Sequence, residues 1–470
     1  MDSGELRQGK QDAAAEGDAP IAAIATATGA AGVCVIRVSG AGALAVGDRL
    51  VPHAKQKPSQ RAGGTFFHAR VYHPLSGVSL DDAVILVYRA PHSYTGEETV
   101  EIQGHGGVLP SRRLLDAALA AGARLAEPGE FTRRAFLNGR MDLTQAEAVC
   151  DFIQSKTERA AHVARAQLDG ALGNCILQLY EKALFVCADI EHLLDFDEGE
   201  LPDDFITREA ERVRSLVTDI ECVAASWNGG RILREGALVV ISGRPNAGKS
   251  SMLNALLGCN RAIVHDVPGT TRDIIEEGYE LNGIPLRLVD TAGLRETEDV
   301  VEREGISRAH ALMCQADINL HLIDGSAGDR AYPVADMLRD VPSARVIICH
   351  TKSDLAVMPP LSGCPHLTQI TLSVKTGEGL ERLKREIVRH LGVEFEGYEQ
   401  PIVSLRQFHE LQTAICEGRS AATLLSGGSQ QLVLAVGCLR GASEALGRIV
   451  GRVYSDDLLD AVFSRFCVGK

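Results

Sequence analysis

The chain lacks any C-x-x-C pair. Its twelve cysteines are scattered, the closest two being Cys175 and Cys187, so neither a zinc site nor a disulfide framework is indicated. Reduced thiols in a cytoplasm fit best. No apolar run approaches the ~18 to 20 residues that span a bilayer, and the chain reads as soluble with no membrane partner. The first twenty residues have no apolar stretch and carry acids, which fits neither a secretory signal nor a transit peptide. Residues 1–20 are therefore expected to be a disordered tail. Net positive charge is missing too: the formal charge of −14 argues against a surface that attracts nucleic acid as a whole. A GXXG clamp in a basic setting and the aromatic ribonucleoprotein signature are both absent. Any RNA contact must be local or shared with a partner. Repeats and low-complexity tracts are not found.

What is present is an ordinary globular balance, 45% apolar and 23% charged residues over 470 positions, enough for two to four domains. From Ile21 to Gly139 strand-like runs (IAAIATATGAAGVCVIRVSG, DDAVILVY, TVEIQGHGG) surround one helical stretch near Leu114 to Ala121. That predicts an α+β domain over 21–139. From Arg140 the period turns helical, opened by a capping box at Thr144 and Glu147, and continues to about Trp227, predicting a first helical part over 140–236. Between Ala237 and residue 393 the strands ALVVISG, LRLVDTAG, INLHLID and RVIICHT alternate with helical segments, the pattern of βαβ units and a parallel sheet. Helix returns near Gln407 and runs, broken at Gly427 and Gly428, through a second helical part over 394–470. The expected fold is multidomain α/β plus α, with a helical domain split by an inserted P-loop (Ras-like) module.

GRPNAGKS, Gly243 to Ser250, follows an apolar strand and opens a helix, the context of a phosphate-binding loop. Asn246, Ala247, Gly248, Lys249, Ser250 and Ser251 would surround the phosphates, with Lys249 neutralising charge and Ser250 on Mg²⁺. DTAG (Asp290, Thr291, Ala292, Gly293) ends a second strand, where Asp290 can hold the metal through water. Between them lies His265, Asp266, Val267, Pro268, Gly269, Thr270 and Thr271, a glycine- and proline-containing switch stretch in which Thr271 ligates Mg²⁺ when triphosphate is bound. TKSD (Thr351, Lys352, Ser353, Asp354) and SVK (Ser373, Val374, Lys375) supply base recognition. The Asp354 carboxylate accepts from guanine N1–H and the amino group, which selects GTP over ATP. Thr351 stands where Asn is usual and keeps a hydroxyl for loop bracing. Leu294 occupies the common place of a water-orienting glutamine, and Glu302, twelve residues beyond Asp290, is the candidate replacement. Arg272 and Arg295 are the nearby arginines available to the transition state.

Together with IRVSG (Ile36 to Gly40), SYTGEETVEIQGHGG (Ser93 to Gly107), PGEFTRRAFLNGRMDLTQAEAV (Pro128 to Val149) and the terminal FCVGK, these motifs make the chain resemble the MnmE (TrmE) family of tRNA-modification GTPases from Ile21 to Lys470. The resemblance implies a homodimer formed through N-terminal domains that bind a folate. It also implies an FAD-containing partner, MnmG (GidA), and the addition of an aminomethyl or carboxymethylaminomethyl group to carbon 5 of a wobble uridine in tRNA. The one-carbon unit would come from 5-formyltetrahydrofolate or methylenetetrahydrofolate. By resemblance, Asn246, His265, Val267 and Thr270 would hold K⁺ where GTPase domains pair, and Glu302 would orient water. The folate contacts would fall on Arg37, Glu101, Arg140 and Lys470, with Cys467 beside them. The competing readings are an RNA-associated regulatory or ribosome-assembly GTPase and a stand-alone folate-dependent transferase.

Overall fold

The computed structural model describes residues 19–27, 29–194, 205–258, 276–290, 310–327, 340–357, 359–361, 364–392, 404–427 and 431–469. The chain divides into two compact units, Met1–Cys150 with Val450–Lys470, and Asp151–Ile449.

The first unit is built on a six-stranded sheet. Its strands are β1 (Ile21–Ile24), β2 (Val33–Ser39), β3 (Thr65–Tyr72), β4 (Ser79–Tyr88), β5 (Thr99–His105) and β6 (Arg124–Leu125), in the order β3-β4-β5-β2-β1-β6. All pairings are antiparallel except β1 with β6. Alternation along VCVIRVS sends Cys34, Ile36 and Val38 to one face, where Val100, Ile102, Ile85 and Val87 meet them. Helices Ala43–Leu50 and Val108–Ala120 cover that face through Leu44, Leu50 and Leu114. Each such buried Ile, Leu or Val contributes about 1.5–3 kcal/mol. Register leaves Ala23, Arg37 and Glu101 in line on the opposite face. Helix Asp456–Phe463 belongs to this unit too: Arg133 of helix Glu130–Leu137 holds Asp460 at 2.9 Å.

Helix Leu143–Gln154 is capped differently from the sequence expectation. The Asp142 carboxylate accepts from Gln145 N–H at 2.9 Å and the Gln145 side chain accepts from Asp142 N–H at 2.9 Å. Asp142 and Gln145, not Thr144 and Glu147, form the reciprocal box. Thr144 is buried inside the first turn and donates its hydroxyl to Asp142. An ionised carboxylate caps better than a hydroxyl that has a charged partner of its own.

In the second unit, helices Phe205–Ala225 and Leu405–Ser426 pack along their length. Their apolar stripes, Val213, Leu216, Val217 and Ile220 against Leu411, Ala414, Ile415 and Ala421, recur at helical spacing. Gly418 makes the approach possible, since a β-carbon there would lie 2.6 Å from Val217 Cγ2. The helical segments on either side of the α/β module thus meet within this unit.

The α/β module holds β7 (Ala237–Gly243), β8 (Glu276–Leu281), β9 (Ile284–Asp290), β10 (Ile318–Asp324), β11 (Val346–Thr351) and β12 (Thr368–Thr371), ordered β12-β11-β10-β7-β9-β8. All pairs are parallel except β8 with β9. β10 and β11 are buried on both faces, as parallel strands between helical layers must be. Helix Trp227–Glu235 leads into β7 through Gly236, and Asp317 joins them, accepting from Arg231 and, at 2.8 Å, from Leu238 N–H.

Candidate functional site

β7 ends at Gly243, where a β-carbon would sit 2.4 Å from Leu322 O, so only glycine lets the chain leave the sheet there. The loop that follows carries Asn246 at φ 65° and Gly248 at φ 94°, both left-handed, and closes into helix Lys249–Leu257. A left-handed turn at a helix start is where backbone N–H groups and the helix dipole favour an anion. Lys249 is buried, and its ammonium donates to Gly243 O at 3.0 Å and Arg244 O at 2.9 Å. Ser250 donates to Asp290 Oδ2 at 3.0 Å, and Asp290 ends β9 beside β7. A hydroxyl and a carboxylate so placed are the hard oxygen donors that Mg²⁺ takes.

The strands beside them supply the base side. Thr351, the last residue of β11, is buried and donates to Ala247 O at 2.8 Å, with Ile323 O at 3.2 Å. This hydroxyl ties the phosphate loop to the base loop across 104 residues. Lys352, at φ 60°, reaches Asp324 Oδ2 at 2.6 Å. Asp354 is exposed and accepts from Ser373 Oγ at 2.6 Å, and this bond holds its carboxyl below the usual range. It stays an acceptor at neutral pH, as a guanine-reading group requires. Val374 is half-buried and Lys375 exposed on the turn after Ser373. The remaining loop members, Ala247 and Ser251, lie on the loop and the first helical turn, and Ser353 N–H donates to Leu372 O.

Under the phosphate loop lies a residue that the sequence reading passed over. His321, fully buried on β10, pairs in register with Ser242 and meets its hydroxyl at 2.9 Å through Nδ1. Burial, with a smaller push from the Lys249 charge, lowers its pKa to about 4, so it is neutral at pH 7. A polar residue inside the apolar run INLHLID was the available signal.

In the first unit Arg37 and Glu101 face each other on β2 and β5, with Nε to Oε1 at 2.8 Å and both side chains largely buried. The Arg37 guanidinium lies 5.3 Å from the Tyr94 ring centre and 5.7 Å from that of Phe131. Its Nη1 is buried and has no hydrogen-bond partner among the described residues. An acceptor on a ligand would complete it. Arg140 is exposed and runs alongside Gly96, and Gly469 passes so close to β1 that a β-carbon would meet Ile24 O at 2.4 Å. Cys467 is exposed two residues earlier. Tyr94 and Phe131 were missed because aromatics beside an arginine leave no spacing pattern.

Glu302, Arg272, Arg295, the stretch His265, Asp266, Val267, Pro268, Gly269, Thr270 and Thr271, the trio Thr291, Ala292 and Gly293, and Lys470 lie outside the described residues. The structure therefore brings together the phosphate loop, Asp290, the TKSD loop and Ser373 in one unit, and Arg37 with Glu101 in the other.

A glycine-shaped loop with a buried lysine, a strand-end aspartate bonded to the loop serine and a base loop ending in an ionised aspartate define a P-loop GTPase that binds GTP. The chain matches the model of the MnmE helical domain over residues 143–467 and that of the GTP-binding protein TrmE N-terminus over 20–140. It belongs to the MnmE family of tRNA modification GTPases. Among curated relatives, the tRNA modification GTPase MnmE of Symbiobacterium thermophilum is 44% identical, covering 97% of this chain and 100% of that protein. Its counterpart in Geobacter metallireducens is 42% identical over 96% and 99%. The G domain of FeoB from T. maritima, a solved structure, is 28% identical over 33% of this chain and 98% of its own, with a TM-score of 0.26. An overlap that low carries no weight beside the family match. No helix among the described residues is long and apolar enough to cross a membrane.

Proposed function

We propose that this GTPase is the GTP-hydrolysing half of a complex that modifies carbon 5 of wobble uridine, working with the FAD-containing MnmG and taking a one-carbon unit from a folate. The observation that carries the folate part is the buried Arg37 Nη1 without a partner beside Glu101, in a unit separate from the nucleotide site. The pterin of a folate offers an amide and an amino group that one carboxylate can hold in two bonds, and a ring carbonyl that the neighbouring guanidinium can hold. Arg140 and Lys470 complete the folate contacts in this reading, and Cys467 stands at the one-carbon unit.

In the GTPase module, Lys249 leaves the carbonyls of Gly243 and Arg244 for phosphate oxygens when GTP enters. Ser250 and Thr271 would hold Mg²⁺, which would neutralise phosphate charge, with Asp290 as a further donor, and Asp354 reads guanine. Asn246, with His265, Val267 and Thr270, would hold K⁺, which would supply positive charge near the phosphates. Glu302 orients the attacking water, and Arg272 and Arg295 stand near it. Hydrolysis makes no carbon–nitrogen bond. Its use is to close and reopen paired GTPase modules in a homodimer, and to pass that change through a helical domain (140–236 and 394–470) split by the module (237–393). The N-terminal domain, 21–139, binds folate and dimerises, and the enzyme works on tRNA in the cytoplasm.

Mass spectrometry of wobble uridines from a deletion strain tests this. Glu302→Ala should bind GTP yet fail to restore modification, and Cys467→Ser should hydrolyse GTP normally yet also fail. Full restoration by a hydrolysis-dead Glu302→Ala chain would leave GTP as only a structural ligand and sink the proposal.

A further inference from the structure

Guanine offers two edges to a protein. The Watson–Crick edge, with N1–H and the amino group, is the one that sets guanine apart from adenine, and Asp354, held by Ser373, meets it in the reading above. The five-membered ring offers a single acceptor, N7, on the side away from that edge. Whether N7 is read depends on the side chain at the end of β11, since that position lies between the base loop and the phosphate loop.

Here that side chain is Thr351. A hydroxyl has one hydrogen, and the geometry gives it to Ala247 O at 2.8 Å, with Ile323 O the longer neighbour at 3.2 Å. The hydroxyl is buried between two carbonyls, so turning it toward a base would leave Ala247 O bare. Asparagine, usual at this place, has two N–H bonds and can brace the loop with one while offering the other to N7. Lys352, the next residue, has its ammonium on Asp324 Oδ2 and is engaged as well. We infer that this GTPase reads guanine by its Watson–Crick edge alone and leaves N7 unread, because the Thr351 hydroxyl is committed to the phosphate loop. The site would accept guanosine nucleotides altered at position 7 that an asparagine-bearing site rejects.

This rests on the base reading by Asp354, and the experiment separates the two. GDP, 7-deaza-GDP and ADP are titrated calorimetrically into the full chain with Mg²⁺; 7-deaza-GDP replaces N7 by C–H and keeps the Watson–Crick edge. Wild type should bind 7-deaza-GDP within about twofold of GDP. Thr351→Asn should raise that ratio to between about threefold and about tenfold, the worth of one hydrogen bond. Thr351→Val should weaken GDP and 7-deaza-GDP by the same factor, because the lost hydroxyl served the loop. A wild-type ratio above about twofold with GDP still preferred to ADP overturns this inference alone, and its fall to one in Thr351→Val would show the hydroxyl to be the group that reads N7. Equal binding of ADP and GDP by wild type overturns the base reading and the inference with it. The wild-type ratio needs no variant, so a misfolded substitution does not blunt the test.

Discussion

The two units place their polar groups differently on their strands. In the α/β module Gly243, Asp290, Asp324 and Thr351 each end a parallel strand, at the carboxyl edge where such sheets gather ligands. In the first unit Arg37 and Glu101 sit mid-strand on one face of an antiparallel sheet, brought together by register. A strand-end site is made of loops, and each loop is a short contiguous motif. A mid-strand site takes one residue from each strand, and nothing local marks it. The two sites therefore answer differently to substitution.

The largest contrast is expected from Lys249→Ala. Removing this ammonium should lower GTP binding or hydrolysis by about 100-fold or more, while binding of 5-formyltetrahydrofolate is unchanged. Parallel loss of folate binding would break the separation of the two sites. Arg37→Ala should do the reverse and also destabilise its unit, since it strands the Glu101 carboxylate in a largely buried position. The cost is about 3–5 kcal/mol in chemical denaturation, with a GTPase rate near wild type. Replacing both partners by Met and Leu should cost less, because no charge is then left buried. The smallest effect concerns His321. Its folded pKa of about 4 lies below the ordinary value of 6.5, so the unfolded chain binds the extra proton first as pH falls. The stabilisation from keeping it neutral is complete above about pH 6.5 and is lost progressively toward pH 4. It amounts to at most about 3 kcal/mol. His321→Leu should lose less stability than wild type over that window, and equal pH profiles in thermal melts would remove His321 from the account.

What the sequence made legible follows the same division. GRPNAGKS, DTAG and TKSD could each be placed on a strand end before any coordinates, because their glycines and charges are consecutive. β3 was not anticipated: burial alternates along TFFHARVY, with Phe67, Ala69 and Val71 inward, but Phe66 and Tyr72 on the outward face blur the apolar pattern in the sequence. β8 was missed for a similar reason, its acid-rich EEGYEL lacking a β-branched core, although the Asn282–Gly283 turn that joins it to β9 is a hairpin signal. The capping box was displaced by one turn-start because Asp142 and Gln145 satisfy the same pattern as Thr144 and Glu147, and charge decides between them. Arg37 and Glu101 became candidates only through the family, since a register of 64 residues' separation cannot be read from local composition.

One consequence concerns the order in which the chain is made. The first unit takes in Val450–Lys470, so its earliest strands leave the ribosome long before the segment that completes it. At ordinary synthesis rates the 299 residues of Asp151–Ile449 impose a wait on the order of 15 to 60 s. Through that interval Gly129, where a β-carbon would meet Phe463 O at 2.6 Å, has nothing yet packed on it. The surface kept for Phe463 and Phe466 therefore stays uncovered until the last segment of the chain is made.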